Sequence, residues 1–191
     1  MKKIILASSS PRRKELLKNI GLNFNVVSSD YMEDMTLDMK PTELAKYLSL
    51  GKAQDVAKNH INTIIIAADT FVVLNDDLLG KPHTEEKAFE MLQKINGQTL
   101  EVITGYTIID TSMKYSISKA VTTKIFIKKL TDDEIKSYIK TGEPLDKAGA
   151  FAIQGYGSIF IKEIQGSYTN VIGLPIYSLA ESLKKFGVSV L

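Results

Sequence analysis

The apolar positions of this chain change period repeatedly, and each change marks an element. Ile4-Ile5-Leu6-Ala7 is a continuous apolar run that reads as a buried strand, after which Leu16, Leu17 and Ile20 recur at helical spacing. Between them, Ser10 is a natural N-cap and Pro11 suits the first helical position. Phe24-Asn25-Val26-Val27 reads as a second strand, followed by a polar, methionine-bearing loop over residues 28–40. A helix opening near Pro41 carries Leu44, Leu48, Ala53 and Val56. Ile64-Ile65-Ile66-Ala67-Ala68 is apolar throughout, the pattern of a central strand covered on both faces. It runs into Asp69-Thr70 and continues as Phe71-Val72-Val73-Leu74.

Asn75-Asp76-Asp77 has the composition of a hairpin turn, and Thr84 can cap a helix reaching Ile95 with Glu85 and Glu86 in its first turn. Two longer β segments follow, near residues 100–110 and 115–128. Thr131-Asp132-Asp133-Glu134 is a capping-box pattern ahead of a helix ending near Thr141. A Gly-rich region over 142–173, with a strand near 158–163, precedes a last helix over 175–186. Strand–helix alternation first, then adjacent β segments, predicts an α/β fold. The expected architecture is a mixed, twisted sheet with helices on both faces and a cleft where the loops gather. No linker composition divides the chain, so residues 1–191 are expected to form a single domain.

Composition narrows the function classes. A chain of 191 residues can bury a substantial core, and 44% hydrophobic with 24% charged residues is ordinary for a globular protein. A net charge of +2 with no basic stripe gives no footprint for nucleic acid. The absence of cysteine excludes disulfides, thiolate zinc sites and a cysteine nucleophile, and is compatible with a reducing compartment. The apolar core after Lys2-Lys3 is too short for a secretory signal, and no run approaches the roughly 20 residues that span a bilayer. A soluble, cytoplasmic protein is expected.

The candidate chemistry sits where elements change. Ser8-Ser9-Ser10-Pro11-Arg12-Arg13 joins a strand to a helix N-terminus, where free backbone N–H groups and the helix dipole favour an anion. Two guanidiniums beside them could grip phosphate; taken alone, the stretch serves equally as an ordinary cap with solvated arginines. Asp69 reads as the end of an apolar strand, either a cleft acid or a turn-capping residue. Asp30, Glu33 and Asp34 crowd the loop after the second strand; they are surface acids unless that loop closes, when Glu33 and Asp69 could share a divalent ion. Lys52, between Gly51 and Ala53 on an apolar-rich helix, and Lys81, after Gly80, are candidate phosphate ligands or plain surface lysines. Gln154, in the segment Gly142 to Gly155, offers the donor and acceptor that a base edge needs. Neither His60 nor His83 is placed for acid–base work, and no Walker A loop, Gly-x-Ser-x-Gly elbow or Gly-x-Gly-x-x-Gly occurs.

In this order the pieces resemble the Maf family of nucleoside triphosphate pyrophosphatases. The resemblance rests on Ser8-Ser9-Ser10-Pro11-Arg12-Arg13, Lys52-Ala53, Ala68-Asp69-Thr70, Leu79-Gly80-Lys81-Pro82 and Val102-Ile103-Thr104-Gly105. It continues through Gly142-Glu143-Pro144-Leu145-Asp146-Lys147-Ala148-Gly149-Ala150, Gln154-Gly155 and Asn170-Val171-Ile172-Gly173-Leu174-Pro175, so that it spans essentially the whole chain. It implies two lobes around a cleft, a fold related to the inosine triphosphate pyrophosphatases, and hydrolysis of a nucleoside triphosphate to monophosphate and pyrophosphate. It implies a divalent cation, Mg²⁺ or Mn²⁺, held by Glu33 and Asp69. Asp69 matches the family's proton acceptor, Arg12, Thr70 and Gln154 its specificity positions, and Arg13, Lys52 and Lys81 its other cleft residues. Arg13, Lys52 and Lys81 are expected to bind the triphosphate, with backbone donors added by the Ser8 to Ser10 turn, while Arg12 and Gln154 read the pyrimidine. Arg12 with Gln154 points to dTTP and UTP and to modified pyrimidine triphosphates. The family's Asp-Glu pair is interrupted here, since Tyr31-Met32 separates Asp30 from Glu33, which leaves Glu33 and Asp34 as alternatives for the metal acid. A homodimer is expected, with no membrane partner. The competing reading is a non-catalytic nucleotide- or nucleic-acid-binding regulator of cell division, since the family is also associated with septum formation.

Overall fold

The computed structural model describes residues 2–113 and 115–190. Strand β1 (Lys3–Leu6) leads into helix α1 (Pro11–Asn19), strand β2 (Asn25–Val26) and helix α2 (Pro41–Ala57). Strand β3 (Thr63–Leu74) turns into β4 (Asp77–Leu79), and helix α3 (Glu85–Ile95) follows. Strands β5 (Thr99–Asp110) and β6 (Tyr115–Ile127) form a long hairpin ahead of α4 (Asp132–Ile139), β7 (Ile161–Gln165), α5 (Tyr168–Ile172) and α6 (Ile176–Lys184). Among the described residues no helix is long and apolar enough to cross a membrane.

The local signals act as read. Ser10 caps α1 by accepting from the Arg13 backbone N–H, with Pro11 in the first turn, and Thr84 caps α3 through Lys87 N. Thr131 and Glu134 close a full capping box on α4, an arrangement worth about 1 kcal/mol at such an end. Asn75 and Asp76 sit at φ 50° and 69°, the two left-handed residues of a tight hairpin, and join Leu74 to its partner Asp77.

Among the described residues the sheet has seven strands, in the order β2-β1-β3-β5-β6-β7 with β4 also paired to β3. The first three pair in parallel and the rest antiparallel, the mixed sheet that the pattern predicts. Strand alternation separates two faces. On one, α2 lays Leu44, Ala45 and Leu48 against Phe71, Val73 and Ile103, and Ala53 and Val56 against Ile65 and Ala67. On the other, α1 and α6 cover Ile64, Ile66, Tyr106 and Ile108, while α3 and α4 cover Val72, Leu74, Leu100 and Ile125. These last two groups share one face of the same strands, and a cleft lies between them.

Three expectations need correcting. Asp69 does not end its strand: β3 continues through it to Leu74, with Asp69 paired to Gly105. The strand expected near 158–163 begins at Ile161, because Tyr156–Phe160 winds into a 3-10 turn. The short helix α5 has no counterpart in the sequence reading, which treats that stretch as Gly-rich loop.

The position of Asp69 follows from where its neighbours stop. β1 pairs with β3 as far as Ile66, whose carbonyl accepts from Ala7 N at 2.7 Å, and β4 takes up pairing at Val72. Between these points β3 has β5 on one side and, among the described residues, no strand on the other. A carboxylate there belongs to a rigid strand and still meets the cleft.

Candidate active site

Separate stretches of chain converge on this uncovered part of β3. The turn after β1 brings Ser8, whose hydroxyl oxygen accepts from Ser10 N and from Arg13 Nη1, each at 3.2 Å. With both acceptor sites used, the Ser8 proton remains to be donated. Arg13 is half-buried and donates from Nε to Gly173 O at 2.8 Å, from Nη1 to Ala68 O at 2.8 Å and from Nη2 to Thr70 Oγ1 at 3.0 Å. Gly173 stands at φ 124°, a conformation that glycine alone adopts without strain, and this turns its carbonyl to the guanidinium. Burial lowers the Arg13 pKa from its ordinary value, with the Asp69 charge acting in the opposite sense.

Asp69 projects from the α2 face of β3 and is 8% exposed. Its Oδ1 accepts from Thr70 N at 2.8 Å and its Oδ2 from Lys52 Nζ at 2.8 Å. Lys52 reaches it because α2 lies unusually close to the sheet: a Cβ on Gly105 would stand 2.2 Å from the backbone of Ala45, two helical turns before Lys52. The same ammonium is 2.8 Å from Glu33 Oε1. Asp34 is turned to its own loop, accepting from Thr36 N and Oγ1, which hold its carboxyl below the usual range. Glu33 therefore faces the cleft and Asp34 does not.

The Gly-rich segment folds over the other side. Gly149 N donates to Gly80 O and His83 N to Leu145 O, which seats the segment on the loop carrying Lys81. Asp146 pairs with Lys147, and Lys147 together with Lys81 holds its carboxyl below the usual range. Glu143 accepts from Tyr138 Oη at 2.8 Å, Tyr156 N at 3.0 Å and Gly157 N at 2.9 Å, fixing the turn beyond Gln154.

The result is two adjoining chambers of about 410 and 460 Å³. Ser10, Arg12, Arg13, Glu33, Lys81, Asp146 and Lys147 border both. The first adds apolar walls from Phe71, Val72, Val102 and Phe151, with Thr70 and Gln154 among them. The second is lined by the Ser8, Ser9 and Ser10 turn and by Lys52. One half is shaped and coloured for a flat, partly apolar group and the other for multiple anionic oxygens.

Of the site residues singled out from the sequence, Ser8, Ser10, Arg12, Arg13, Glu33, Lys52, Asp69, Thr70, Lys81 and Gln154 border this cleft, and Asp30 and Asp34 do not. Lys147 and Asp146 join them without having been given a role; their signal was a charged pair inside a glycine-dense segment that also carried Gln154. Asn170 proves to be a strut, fully buried and donating from Nδ2 to Val102 O and Thr123 Oγ1. The carboxylates of Glu33 and Asp69 converge on one cation-sized position, which suits a divalent ion that completes its shell with phosphate oxygens and water. Among the described residues no group of three or more His, Cys, Asp or Glu side chains gathers to hold an ion by itself.

The family model described as Maf-like protein matches residues 3–186. The dTTP/UTP pyrophosphatase of Methanosarcina mazei is 50% identical over 191 residues, 100% of this chain and 97% of its own length. The dTTP/UTP pyrophosphatase of Desulforamulus reducens is 46% identical over 190 residues, 100% of both chains. A HAM1 protein from Coxiella burnetii is similar in fold alone, with a TM-score of 0.53 and 12% identity over 97% of this chain and 100% of that one.

Proposed function

The chain belongs to the Maf family, and we propose that it is a nucleoside triphosphate pyrophosphatase hydrolysing dTTP and UTP to the monophosphate and pyrophosphate. The observation that carries the mechanism is the setting of Asp69: a carboxylate fixed in mid-strand through both oxygens, lining the partly apolar chamber and bonded to the Lys52 ammonium that lines the polar one. The triphosphate occupies the polar chamber, where Arg12, Lys52 and Lys81 meet its oxygens and the Ser8 to Ser10 turn adds donors. The pyrimidine enters the other chamber, where Gln154 and Arg12 read its edge, and modified pyrimidines that keep this edge are substrates as well.

Asp69 accepts a proton from a water as that water's oxygen bonds to the α-phosphorus, and the bond from the α-phosphorus to the bridging oxygen of the β-phosphate breaks. Pyrophosphate departs with the electron pair, and the lysines and arginine meet the charge that builds on it. Glu33 and Asp69 would hold Mg²⁺ or Mn²⁺, which supplies further neutralisation of phosphate charge when bound. The reading places the enzyme in the cytoplasm, with the nucleotide pool.

Product identification tests it. Incubation with dTTP and Mg²⁺ yields dTMP and pyrophosphate; orthophosphate with dTDP would overturn the reaction. Asp69→Asn lowers turnover by about 10²- to 10⁴-fold while nucleotide still binds. An active Asp69→Asn enzyme would remove Asp69 from its role, and tight binding without turnover of any nucleotide would favour a regulator instead.

A further inference from the structure

Arg13 lies in the cleft wall, yet its hydrogen bonds are directed into the protein. Nη1 bonds Ala68 O and Ser8 Oγ, Nη2 bonds Thr70 Oγ1 and Nε bonds Gly173 O. Four of the five N–H groups of the guanidinium are committed. Bidentate recognition of phosphate needs two adjacent N–H groups along one edge of the fork. Here both edges are already in use, and a single Nη2 proton is left.

Two of these acceptors, Ala68 and Thr70, flank Asp69. Ala68 O points to the side of β3 that Ile66 O also faces, and Ile66 O is bonded by Ala7 N. Arg13 thus continues the row of donors where β1 has ended. Thr70 carries the grip further. Thr104 Oγ1 donates to Asn170 O at 3.1 Å, so Thr70 is the donor in the 3.0 Å contact between the two threonine hydroxyls, with Gly173 O at 3.4 Å a longer second acceptor for the same proton, and the Thr70 oxygen accepts from Arg13. Arg13, Thr70, Thr104 and the Asn170 carbonyl then form one ordered chain from the edge of the cleft into the core. The backbone N–H of the same Thr70 orients Asp69 Oδ1.

From this geometry we propose that Arg13 is a positioning residue for Asp69: it replaces the missing neighbour strand by clamping Ala68 and Thr70. The proposal rests on Asp69 being the proton acceptor. Arg13 fixes the direction of its carboxylate and contributes little to holding the triphosphate.

Steady-state kinetics with dTTP separate a clamp from a phosphate ligand. Arg13→Met and Arg13→Lys each lower kcat by about 10- to 100-fold, the cost of a misplaced reacting group, with KM within about threefold of the parent. Lysine fails because a point charge cannot serve four acceptors. The steepness with which KM rises with salt is unchanged in Arg13→Met, whereas Lys81→Met flattens it. Thr104→Val, which touches neither Arg13 nor the cleft, lowers kcat at least threefold at constant KM and supplies the test if the Arg13 variants do not fold. A tenfold rise in KM with kcat retained in Arg13→Met, parental kcat in Arg13→Lys, or parental kcat in Thr104→Val would each overturn the clamp. If Asp69→Asn remains active, the underlying reading fails; if Asp69→Asn is dead and Arg13→Met alters only KM, the clamp alone fails.

Discussion

Lys52 Nζ and Asp69 Oδ2 meet at 2.8 Å across the interface of α2 with β3, and the same ammonium neutralises Glu33. One lysine therefore stands where a shared divalent cation would, holding two carboxylates that would otherwise repel.

Lys52→Met leaves those two carboxylates uncompensated. Nucleotide-free protein then binds Mn²⁺ more tightly, measured by the loss of the free-ion resonance on titration. In the same variant kcat/KM for dTTP falls about 10- to 100-fold, since a charge-assisted contact of about 1.5–3 kcal/mol is lost from the triphosphate.

Gly105→Ala inserts a methyl group 2.2 Å from the Ala45 backbone. Neither a strand nor a helix backbone gives way cheaply, so α2 shifts outward and carries Lys52 from Asp69. The expected loss is about 1–3 kcal/mol in urea unfolding, with a parallel fall in kcat.

Lys2 and Asp110 make a second ion pair, at 2.5 Å, with the carboxylate fully buried. Burial alone would raise the Asp110 pKa; Lys2, Ser112 and Met113 N outweigh it and bring it to about 2. A folded-state pKa below the ordinary value adds stability that is complete above about pH 4 and is lost as the pH falls toward 2. Lys2→Met lowers unfolding free energy by about 1–3 kcal/mol at pH 7, and the difference from the parent shrinks as the pH falls below about 4.

Glu143→Gln replaces one of two acceptor oxygens with a donor facing a backbone N–H. The turn after Gln154 loosens: the Tyr156 and Gly157 amides exchange about tenfold faster, and the KM for dTTP rises while the KM difference between dTTP and CTP narrows.

Much of this was legible in the chain because short-range chemistry set it. Ser10 with Pro11, Thr84, and Thr131 with Glu134 are local caps, and each begins a helix where the sequence places one. The site's composition was also legible, since Arg12 and Arg13 stand in the first turn of a helix and Glu33, Lys81 and Gln154 in loops. The setting of Asp69 was not. A carboxylate after five apolar residues reads as a strand end, and only the stagger of β1 against β4 gives it an opening in mid-strand. Nor could the partners of Arg13 be read, since Ala68, Thr70 and Gly173 lie 55 to 160 positions away and offer a carbonyl, a hydroxyl and a second carbonyl. The choice between Glu33 and Asp34 likewise waited on the Thr36 hydroxyl, which draws Asp34 into its own turn.

β3, β5 and β6 each run unbroken beneath both packed groups that wall the cleft. The walls thus stand on common girders. Drawing them together would bend a hydrogen-bonded ribbon at the level of Asp69, where it is also clamped from the side. Enclosing a nucleotide therefore falls to the parts that hang from the frame, above all the irregular 28–40 stretch that carries Glu33. Asp69, the proposed proton acceptor, rides on a continuous, hydrogen-bonded strand and Glu33 on an irregular loop, so a change in the loop can alter substrate engagement without moving Asp69.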